Sequence, residues 1–336
     1  MKVLFNYHIP YSLAHGGAQI QIEETSRALN AIGVEAEPLR WWDDQQQGDI
    51  LHQFARITPD LALAAKRKGM KVVISDLLTA PGSRSRPRIR VQQVAQRLVQ
   101  TLGPNMLVNH FGWQSYQLAD ALLILTPWEA ELLWRLYNAP RDRIHVVPNG
   151  VEDVFLKSAP TPRGPWLVCT GIITERKRML ELAQAAVRAR TPLWVIGKPY
   201  HPDEPYAKRF LDLARTHPEF VCYEGPIQDR VRLATIYRAA RGFVLLSTME
   251  SLSLSALEAA ACECPLLLSD LPWARTVFKE RASYCVISGQ ETQTAQTLRQ
   301  FYDAAPTLPP PPKPLTWIEV AQQIKGIYER ILNTSR

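Results

Sequence analysis

The chain has 336 residues, 46% of them apolar and 21% charged, and a formal net charge of +7. These values are those of a globular protein with room for two medium domains. No run of about 18 apolar residues occurs, so the sequence predicts no transmembrane helix. The segment Met1–Tyr7 meets polar residues too early for a signal peptide, so we expect a cytoplasmic protein that begins with a strand.

Strand-like apolar segments alternate with helical periodicity along the whole chain, and the prolines of residues 157–165 predict a linker. The pattern predicts an α/β protein of two doubly wound, Rossmann-like domains that face each other across a cleft. We expect the first domain at residues 1–156, the second at 157–316 and a last helix at 317–336. The strand-like segments are 2–5, 49–54, 71–76, 119–127, 166–171, 193–197, 221–226, 242–246, 265–269 and 283–287, and the main helical ones are 18–31, 91–102, 128–137, 179–190, 254–262 and 317–332.

The cysteines give no sign of a metal site. There are five, all in the second half of the chain, and Cys262 and Cys264 are too closely spaced to form a zinc ligand pair. We expect reduced thiols in the core of a cytosolic protein.

Two loops in the first half are candidates for ligand contact. Gly16 and Gly17 precede a predicted helix and would let a ligand approach the backbone, although a plain turn is the better explanation of the pair by itself. His52 ends a predicted strand, and a lone histidine is more often structural than functional.

The segment between Leu77 and Ala119 has no acidic residue and carries five arginines beside a helical apolar stripe, Val91 to Leu102. This pattern indicates either peripheral contact of residues 84–102 with an anionic membrane or acceptor, or a surface helix that packs its stripe on the sheet. No nucleic-acid-binding motif accompanies the arginines, so we expect no nucleic acid partner.

A cationic loop follows the first strand of the second half. Gly171 ends the strand, and Arg176, Lys177 and Arg178 precede a predicted helix. Cations at a helix N-terminus are unfavourable unless an anion is bound there. The loop therefore predicts a diphosphate site, in which Lys177 would be a bare cation whose removal leaves the fold intact.

Two glutamates, Glu250 and Glu258, frame a turn of small residues between a buried strand and a helix. Such a turn lies at the carboxyl end of its strand, where α/β proteins bind ligands. The pair is too far apart to act as a glycosidase pair but suits two ends of one extended ligand. A capping box from Ser255 to Glu258 is an equally good explanation of the second glutamate.

This stretch, with its continuation to Asp270 and with residues 144–151, resembles retaining GT-B glycosyltransferases of family 4, also called group 1. The resemblance covers nearly the whole chain and implies a GT-B fold, with the acceptor on the first domain and the donor on the second. It implies that Glu250 faces the donor sugar, that Glu258 holds the ribose and that Lys177 holds the diphosphate. By the same resemblance Gly197 and Pro226 flank the nucleobase, and His52 lies at the cleft. The donor is also approached by the backbone of several residues: Gly16, Gly17, Gly171, Ser251, Leu252, Ser253 and Leu254.

The sequence departs from the family pattern at several positions. Ile172 stands where an arginine is usual, and Asp76 is nearest to the place of a sugar-binding histidine. The family usually has glycine where Ser251 and Ser253 stand, and often has glycine where Glu263 stands. Arg176 or Arg178 are candidates to replace the missing arginine.

The resemblance implies a retaining hexosyltransferase of glycan biosynthesis. We expect it to be metal-independent, because cations are present and no Asp-x-Asp triplet occurs. It would need no cofactor, its donor being a UDP-, GDP- or ADP-sugar and its acceptor a sugar, a lipid-linked or a small molecule. A sugar-nucleotide isomerase, a phosphorylase and a catalytically lapsed sugar-nucleotide-binding protein remain as alternatives.

Overall fold

The computed structural model describes residues 1–8, 16–102, 113–157, 161–201, 203–287 and 290–334. The chain divides into two compact units, the first formed by Met1–Gly150 together with Leu315–Arg336 and the second by Val151–Pro314. Residues 158–160 of the predicted linker lie outside the described residues. Within the described ranges, no helix combines the length and the apolar character that a bilayer crossing requires.

The first unit is built on a parallel sheet, in which six strands are described. Their order is β2-β1-β3-β4-β5-β6, and the strands are β1 Lys2–Asn6, β2 Glu35–Pro38, β3 Ile50–Phe54, β4 Lys71–Ser75, β5 Ala121–Ile124 and β6 Ile144–Val146. The central strands β3 to β5 are almost wholly buried, as expected for a parallel sheet covered by helices on both faces.

The helices of the first unit begin where their sequences supply caps. Thr58 caps one helix and Thr126 another, each with proline in the first turn. The described helices are Gly17–Ala31, Pro59–Arg67, Thr79–Gly82, Arg86–Leu102, Ser115–Leu118, Pro127–Tyr137 and Trp317–Asn333.

The second unit has a second parallel sheet, again with six described strands. The order is β12-β11-β10-β7-β8-β9, and the strands are β7 Leu167–Thr170, β8 Leu193–Ile196, β9 Val221–Glu224, β10 Gly242–Leu245, β11 Leu266–Ser269 and β12 Ser283–Cys285. Its described helices are Asp153–Leu156, Met179–Ala189, Pro205–Thr216, Arg230–Ala239, Leu254–Ala261, Pro272–Phe278 and Glu291–Ala304. The two sheets confirm the predicted α/β class of two Rossmann-like units.

The C-terminal helix, Trp317–Asn333, belongs to the first unit although it follows the second in sequence. It begins with a capping box, in which Thr316 accepts from the N–H of Glu319 and the Glu319 carboxylate accepts from the N–H of Thr316. It packs against helix Gly17–Ala31, and the hydroxyl of Tyr328 lies 2.5 Å from Nδ1 of the buried His52. Long-range packing, rather than chain order, therefore assigns this helix to its unit.

Candidate functional site

The strand order of the second sheet predicts where a ligand would bind. From β7 the chain adds β8 and β9 on one side, and then β10, β11 and β12 on the other. The order reverses between β7 and β10, and open parallel sheets bind ligands outside the carboxyl ends of the strands at such a switch point. The loops after these two strands carry the residues predicted for the diphosphate and the donor sugar.

At this point Glu250 lies between two cations. Its Oε1 is 2.5 Å from Nζ of Lys177 and 3.1 Å from Nη1 of Arg176. The same Nη1 donates to the carbonyl of Met249 at 2.8 Å, and the N–H of Thr248 donates to the carbonyl of Arg176, also at 2.8 Å. These bonds join the two loops into one surface.

This arrangement corrects the expectation for Lys177. The residue ends a 3-10 turn, Glu175–Lys177, and the helix begins only at Met179, after Arg178 in a left-handed conformation (φ 54°). Lys177 is also buried, with 9% of its surface exposed, and is paired with Glu250. Lys177 is therefore not a bare cation at a helix N-terminus, and the prediction that it would be one was wrong.

The cations decide the ionisation of Glu250. Burial by itself would raise the pKa of this carboxyl, but the nearby charges of Lys177 and Arg176 more than offset burial and lower the pKa below its usual value. The pair of loops therefore presents an ionised carboxylate and two cations at the mouth of the switch point. A diphosphate would compete with Glu250 for both cations.

Glu258 is on helix Leu254–Ala261 and is fixed by different partners. Its Oε1 lies 2.5 Å from Nη2 of Arg230, and its Oε2 accepts from the Tyr237 hydroxyl at 3.3 Å. Arg230 also pairs with Glu152 at 2.7 Å. Burial raises the pKa of Glu258, and Arg230 offsets only part of that effect.

These contacts exclude the capping-box explanation of Glu258. The N-cap of the helix is Ser253, not Ser255, and its hydroxyl accepts from the N–H of Ala256 at 3.4 Å. Glu258 is therefore in the middle of the helix, where its side chain cannot reach back to the cap.

The N-cap also accounts for one departure from the family pattern. Ser253 has an ordinary extended backbone (φ −71°), so this position does not require glycine, and its side chain contributes the cap. Ser251, Leu252 and Ser253 are buried, and the first N–H groups of the helix have no acceptors within the helix itself. The predicted donor-binding backbone therefore lies beside Glu250.

The two predicted glycines at strand ends have a packing reason. Gly171 and Gly197 have φ values of 157° and 149°, and a Cβ on Gly197 would lie 1.9 Å from the carbonyl oxygen of Gly171. The loops after β7 and β8 are thus in direct backbone contact. Pro226, predicted beside the nucleobase, is exposed after β9.

The first-unit candidates lie in a separate group. His52 is fully buried, with Nδ1 bonded to Tyr328 and Nε2 2.7 Å from the Ser75 hydroxyl, and burial lowers its pKa to about 3. A neutral ring with both nitrogens occupied fits the structural reading of this histidine. Asp76 is buried and accepts from the Tyr116 hydroxyl and from the N–H of Leu77. Gly16 has φ 146° and precedes the helix that Gly17 begins.

The basic helix, Arg86–Leu102, does not bury the predicted apolar stripe, as it would if it packed that stripe on the sheet. Such packing was one of the two explanations of this segment. Val91, Val94 and Leu98 are 71%, 60% and 54% exposed, whereas Ile89 is buried in the core. Most of the predicted stripe therefore faces outward, because the buried face of the helix is set by Ile89 and by the partly buried Val99.

Sequence reasoning missed the partners of the predicted residues. Arg230, Glu152 and Tyr237 surround Glu258 but come from segments with no motif of their own. The one local signal is Asp229, whose side chain caps the helix that Arg230 begins. In the part of the chain described, no group of three or more His, Cys, Asp or Glu side chains is placed to hold a metal ion.

Comparison with known proteins is most specific for the second unit. Residues 164–304 match the family model described as "Glycosyl transferases group 1". A D-inositol 3-phosphate glycosyltransferase from Xylanimonas cellulosilytica is 32% identical over 193 residues, which is 52% of this chain and 46% of that protein. The match thus spans about half the length of that relative.

Solved structures resemble the chain over nearly its full length. Sucrose-phosphate synthase from Thermosynechococcus elongatus has a TM-score of 0.68 at 16% identity and covers 99% of both chains. HepE from Anabaena, determined in complex with UDP and glucose, has a TM-score of 0.62 at 13% identity and covers 98% of this chain and 99% of its own. At such identities the likeness establishes the shared fold.

Proposed function

We propose that this chain, whose second unit belongs to the group 1 glycosyltransferases over residues 164–304, transfers a sugar from a nucleotide-diphosphate sugar to an acceptor. The observation that carries the proposal is the contact of the buried Lys177 and the partly exposed Arg176 with the buried Glu250 at the switch point of the second sheet. The structural neighbour from Anabaena, determined with UDP and glucose, supports this class of donor.

The charges of the loop suit the leaving group of such a reaction. Breaking the bond between sugar and diphosphate places negative charge on the diphosphate, and two nearby cations stabilise that charge in the transition state. When the donor binds, Lys177 and Arg176 exchange Glu250 for phosphate oxygens, and the released carboxylate faces the sugar. Arg176 is then proposed as the replacement for the arginine missing at Ile172, because it already contacts Glu250.

The finer features of the reaction are part of the proposal. The configuration of the transferred sugar is retained if the departing phosphate takes the acceptor proton, and no side-chain base is then needed. Lys177 and Arg176 would make a metal dispensable. Glu258 is proposed to accept from the ribose hydroxyls through the remaining lone pairs of its two carboxylate oxygens, which already bind Arg230 and Tyr237. No cofactor is proposed beyond the donor itself.

Calorimetric titration with UDP, GDP, ADP and the matching nucleosides tests the donor site. We expect one nucleoside diphosphate to bind, Lys177→Ala and Arg176→Ala to weaken it at least tenfold, and the nucleoside to bind these variants unchanged. Arg178→Ala is the matched control in the same loop and is expected to retain binding. Equal losses in all three variants would contradict the assignment of the cations.

Product analysis separates the alternative activities. Incubation with UDP-glucose and acceptor mixtures, with and without EDTA and with and without inorganic phosphate, is expected to yield a glycoside of retained configuration under each condition. Dependence on phosphate would indicate a phosphorylase, and restoration by magnesium after EDTA would contradict metal independence. Binding without any turnover would indicate a lapsed enzyme.

We further propose that the basic helix contacts anionic lipid at the inner face of a membrane. Val91, Val94 and Leu98 are exposed, the flanking arginines 84, 86, 88 and 90 are exposed too, and no acidic residue lies between Leu77 and Ala119. Apolar side chains that insert at the acyl boundary and arginines that contact phosphates are complementary to that surface.

Co-sedimentation with vesicles tests the membrane contact. The protein is expected to bind vesicles that contain phosphatidylserine at low salt and to dissociate from them at high salt. It is not expected to bind vesicles of pure phosphatidylcholine. Replacing Val91, Val94 and Leu98 with serine should abolish binding, whereas Val231→Ser, at a valine 62% exposed in the second unit, should not. Failure of the unmodified protein to bind anionic vesicles would refute the proposal.

A further inference from the structure

The first unit contains a cavity that none of the predicted site residues line. It has a volume of about 530 Å³ and opens beside the carboxyl ends of β1 and β2, against helix Gly17–Ala31. Its lining includes Tyr7, Glu23, Arg27, Leu39 and Trp41. The volume falls within the range of small-molecule pockets, about 300–1,000 Å³.

Trp41 is an exposed aromatic residue held in a fixed place. It is 71% exposed, yet its indole N–H donates to Oδ1 of Asn6 at 3.3 Å. Asn6 is buried and its amide donates to Oε1 of Gln53 at 2.7 Å, and Gln53 in turn donates to the carbonyl of Phe54. A large apolar ring in water, immobilised by a buried polar frame, is typical of a binding platform rather than of a core residue.

The polar frame lies at the switch point of the first sheet. Asn6 and Gln53 are paired in register at the carboxyl ends of β1 and β3, the neighbours between which the strand order reverses. This is the edge of the sheet at which α/β domains bind ligands. Trp41 extends that edge toward the cavity.

The charges of the lining distinguish classes of ligand. Glu23 and Arg27 contribute one charge of each sign, and Arg27 is already paired with Glu24. A phosphate group would need a cluster of cations or N–H donors. The lining instead offers an indole face with separate donors and acceptors, among them Ser26. A pyranose ring matches this set, because its C–H faces carry partial positive charge that the indole face attracts, and its hydroxyls both donate and accept.

We propose that this cavity binds an uncharged saccharide, whose ring stacks on Trp41, as the acceptor of the reaction. The inference rests on the proposed transfer function and narrows its acceptor to a neutral sugar rather than a phosphorylated one. Trp42 provides an internal comparison, since it is the next residue, is 84% exposed and is not among the residues that line the cavity.

Binding to a printed array of neutral and phosphorylated oligosaccharides tests the proposal, with Trp41→Ala and Trp42→Ala compared under the same conditions. We expect the unmodified protein and Trp42→Ala to bind neutral glycans and Trp41→Ala to lose at least tenfold in affinity. Thermal unfolding checks that both variants fold, and titration with the nucleoside diphosphate checks the donor site in each.

Three results would overturn the inference: no glycan binding by the unmodified protein, binding restricted to phosphorylated glycans, or equal losses in the two variants. Nucleotide binding separates this failure from failure of the transfer proposal. If the nucleoside diphosphate binds while glycans do not, the acceptor assignment alone is wrong. If neither binds, both proposals fail.

Discussion

At the scale of single residues, the pairing of Glu250 with Lys177 and Arg176 shows how opposite charges are accommodated together in a largely buried place at the carboxyl end of a parallel sheet. The side chains of Glu250 and Lys177 are only 10% and 11% exposed, so neither charge is well hydrated. Each is tolerated because the other is present: removal of Glu250 takes this partner from Lys177, and removal of Lys177 leaves Glu250 with Arg176. If the proposed donor binds here, this pairing keeps the empty site stable, and its contacts are exchanged for contacts with the diphosphate.

Lys177→Ala is therefore expected to destabilise the unliganded protein, contrary to the expectation from sequence alone. The loss should be less than the about 3–5 kcal/mol of an isolated buried pair, because Arg176 still contacts Glu250. Urea unfolding of Lys177→Ala, Glu250→Gln and the double variant measures the coupling. The double variant should lose less than the sum of the single losses, and strict additivity would refute the pairing.

The two glutamates should change the pH dependence of stability in opposite directions. The pKa of Glu250 is lowered on folding, so its contribution is present above its unfolded pKa of about 4.3 and is lost as the pH falls through the folded value. The pKa of Glu258 is raised, so its contribution is present below the unfolded pKa and is lost as the pH rises through the folded value.

Urea unfolding between about pH 3.5 and pH 7 measures these slopes against glutamine variants. The stability of the unmodified protein relative to Glu250→Gln should shrink toward acid pH, whereas its stability relative to Glu258→Gln should grow. Parallel slopes for the two variants would contradict the assigned environments.

At the scale of elements, helix Leu254–Ala261 illustrates how local sequence sets both ends of a short helix. Ser253 caps its start, and its last turn is followed by Cys262 and then by Glu263 in a left-handed conformation (φ 57°). That conformation costs a residue with a Cβ about 1–2 kcal/mol, and glycine adopts it freely. The helix therefore carries strain at its C-terminal end, at Glu263.

Glu263→Gly is expected to stabilise the protein. Relief of the left-handed strain, about 1–2 kcal/mol, is offset by the added freedom of glycine in the unfolded chain, about 0.4–1 kcal/mol, which leaves a gain of about 0.5–1 kcal/mol. The lost contact with Lys313, 3.9 Å away between exposed side chains, contributes little. Glu263→Ala is the control for thermal unfolding, because it loses the same charge but keeps the Cβ. A gain in the alanine variant as well would point to charge instead.

At the scale of the whole molecule, the chain returns to its first unit after completing the second. The connection places the start of the C-terminal helix against Gly150, where a Cβ would lie 2.6 Å from the backbone nitrogen of Trp317. Backbone cannot move aside as a flexible side chain does. The absence of a side chain at Gly150 is therefore a condition for seating the last helix on the unit to which it belongs.

Gly150→Ala is expected to destabilise the first unit by about 1–3 kcal/mol, the usual cost of overpacking. Hydrogen exchange should show the loss in helix Trp317–Asn333 and around His52, whose ring nitrogen contacts Tyr328 of that helix. Gly82→Ala in the same unit meets no atom within 4 Å and serves as the control. Unchanged protection of the helix in Gly150→Ala would refute this account.

Much of the second unit could be predicted because its signals are local. Gly171, the cationic loop and the Glu250–Glu258 stretch each follow a strand closely, and parallel strands bring their carboxyl ends to one edge. The first-unit candidates were less predictable. His52 lies in the middle of β3 rather than at its end, and Asp76 directly follows β4. Their partners Tyr328 and Tyr116 are distant in sequence, and no local pattern indicates them.

The sequence by itself determined the alternation of strands and helices, and hence two Rossmann-like units, because the periods of apolar residues are set within each element. It also determined which loops carry charge. Only the tertiary structure decided which charges neutralise one another, as in Lys177 with Glu250 and Arg230 with Glu258. It likewise decided that Val91, Val94 and Leu98 face outward and that the exposed Trp41 is fixed by Asn6. Burial and pairing join residues far apart in the chain, so they depend on the packing of whole elements and leave no periodic signal in the sequence.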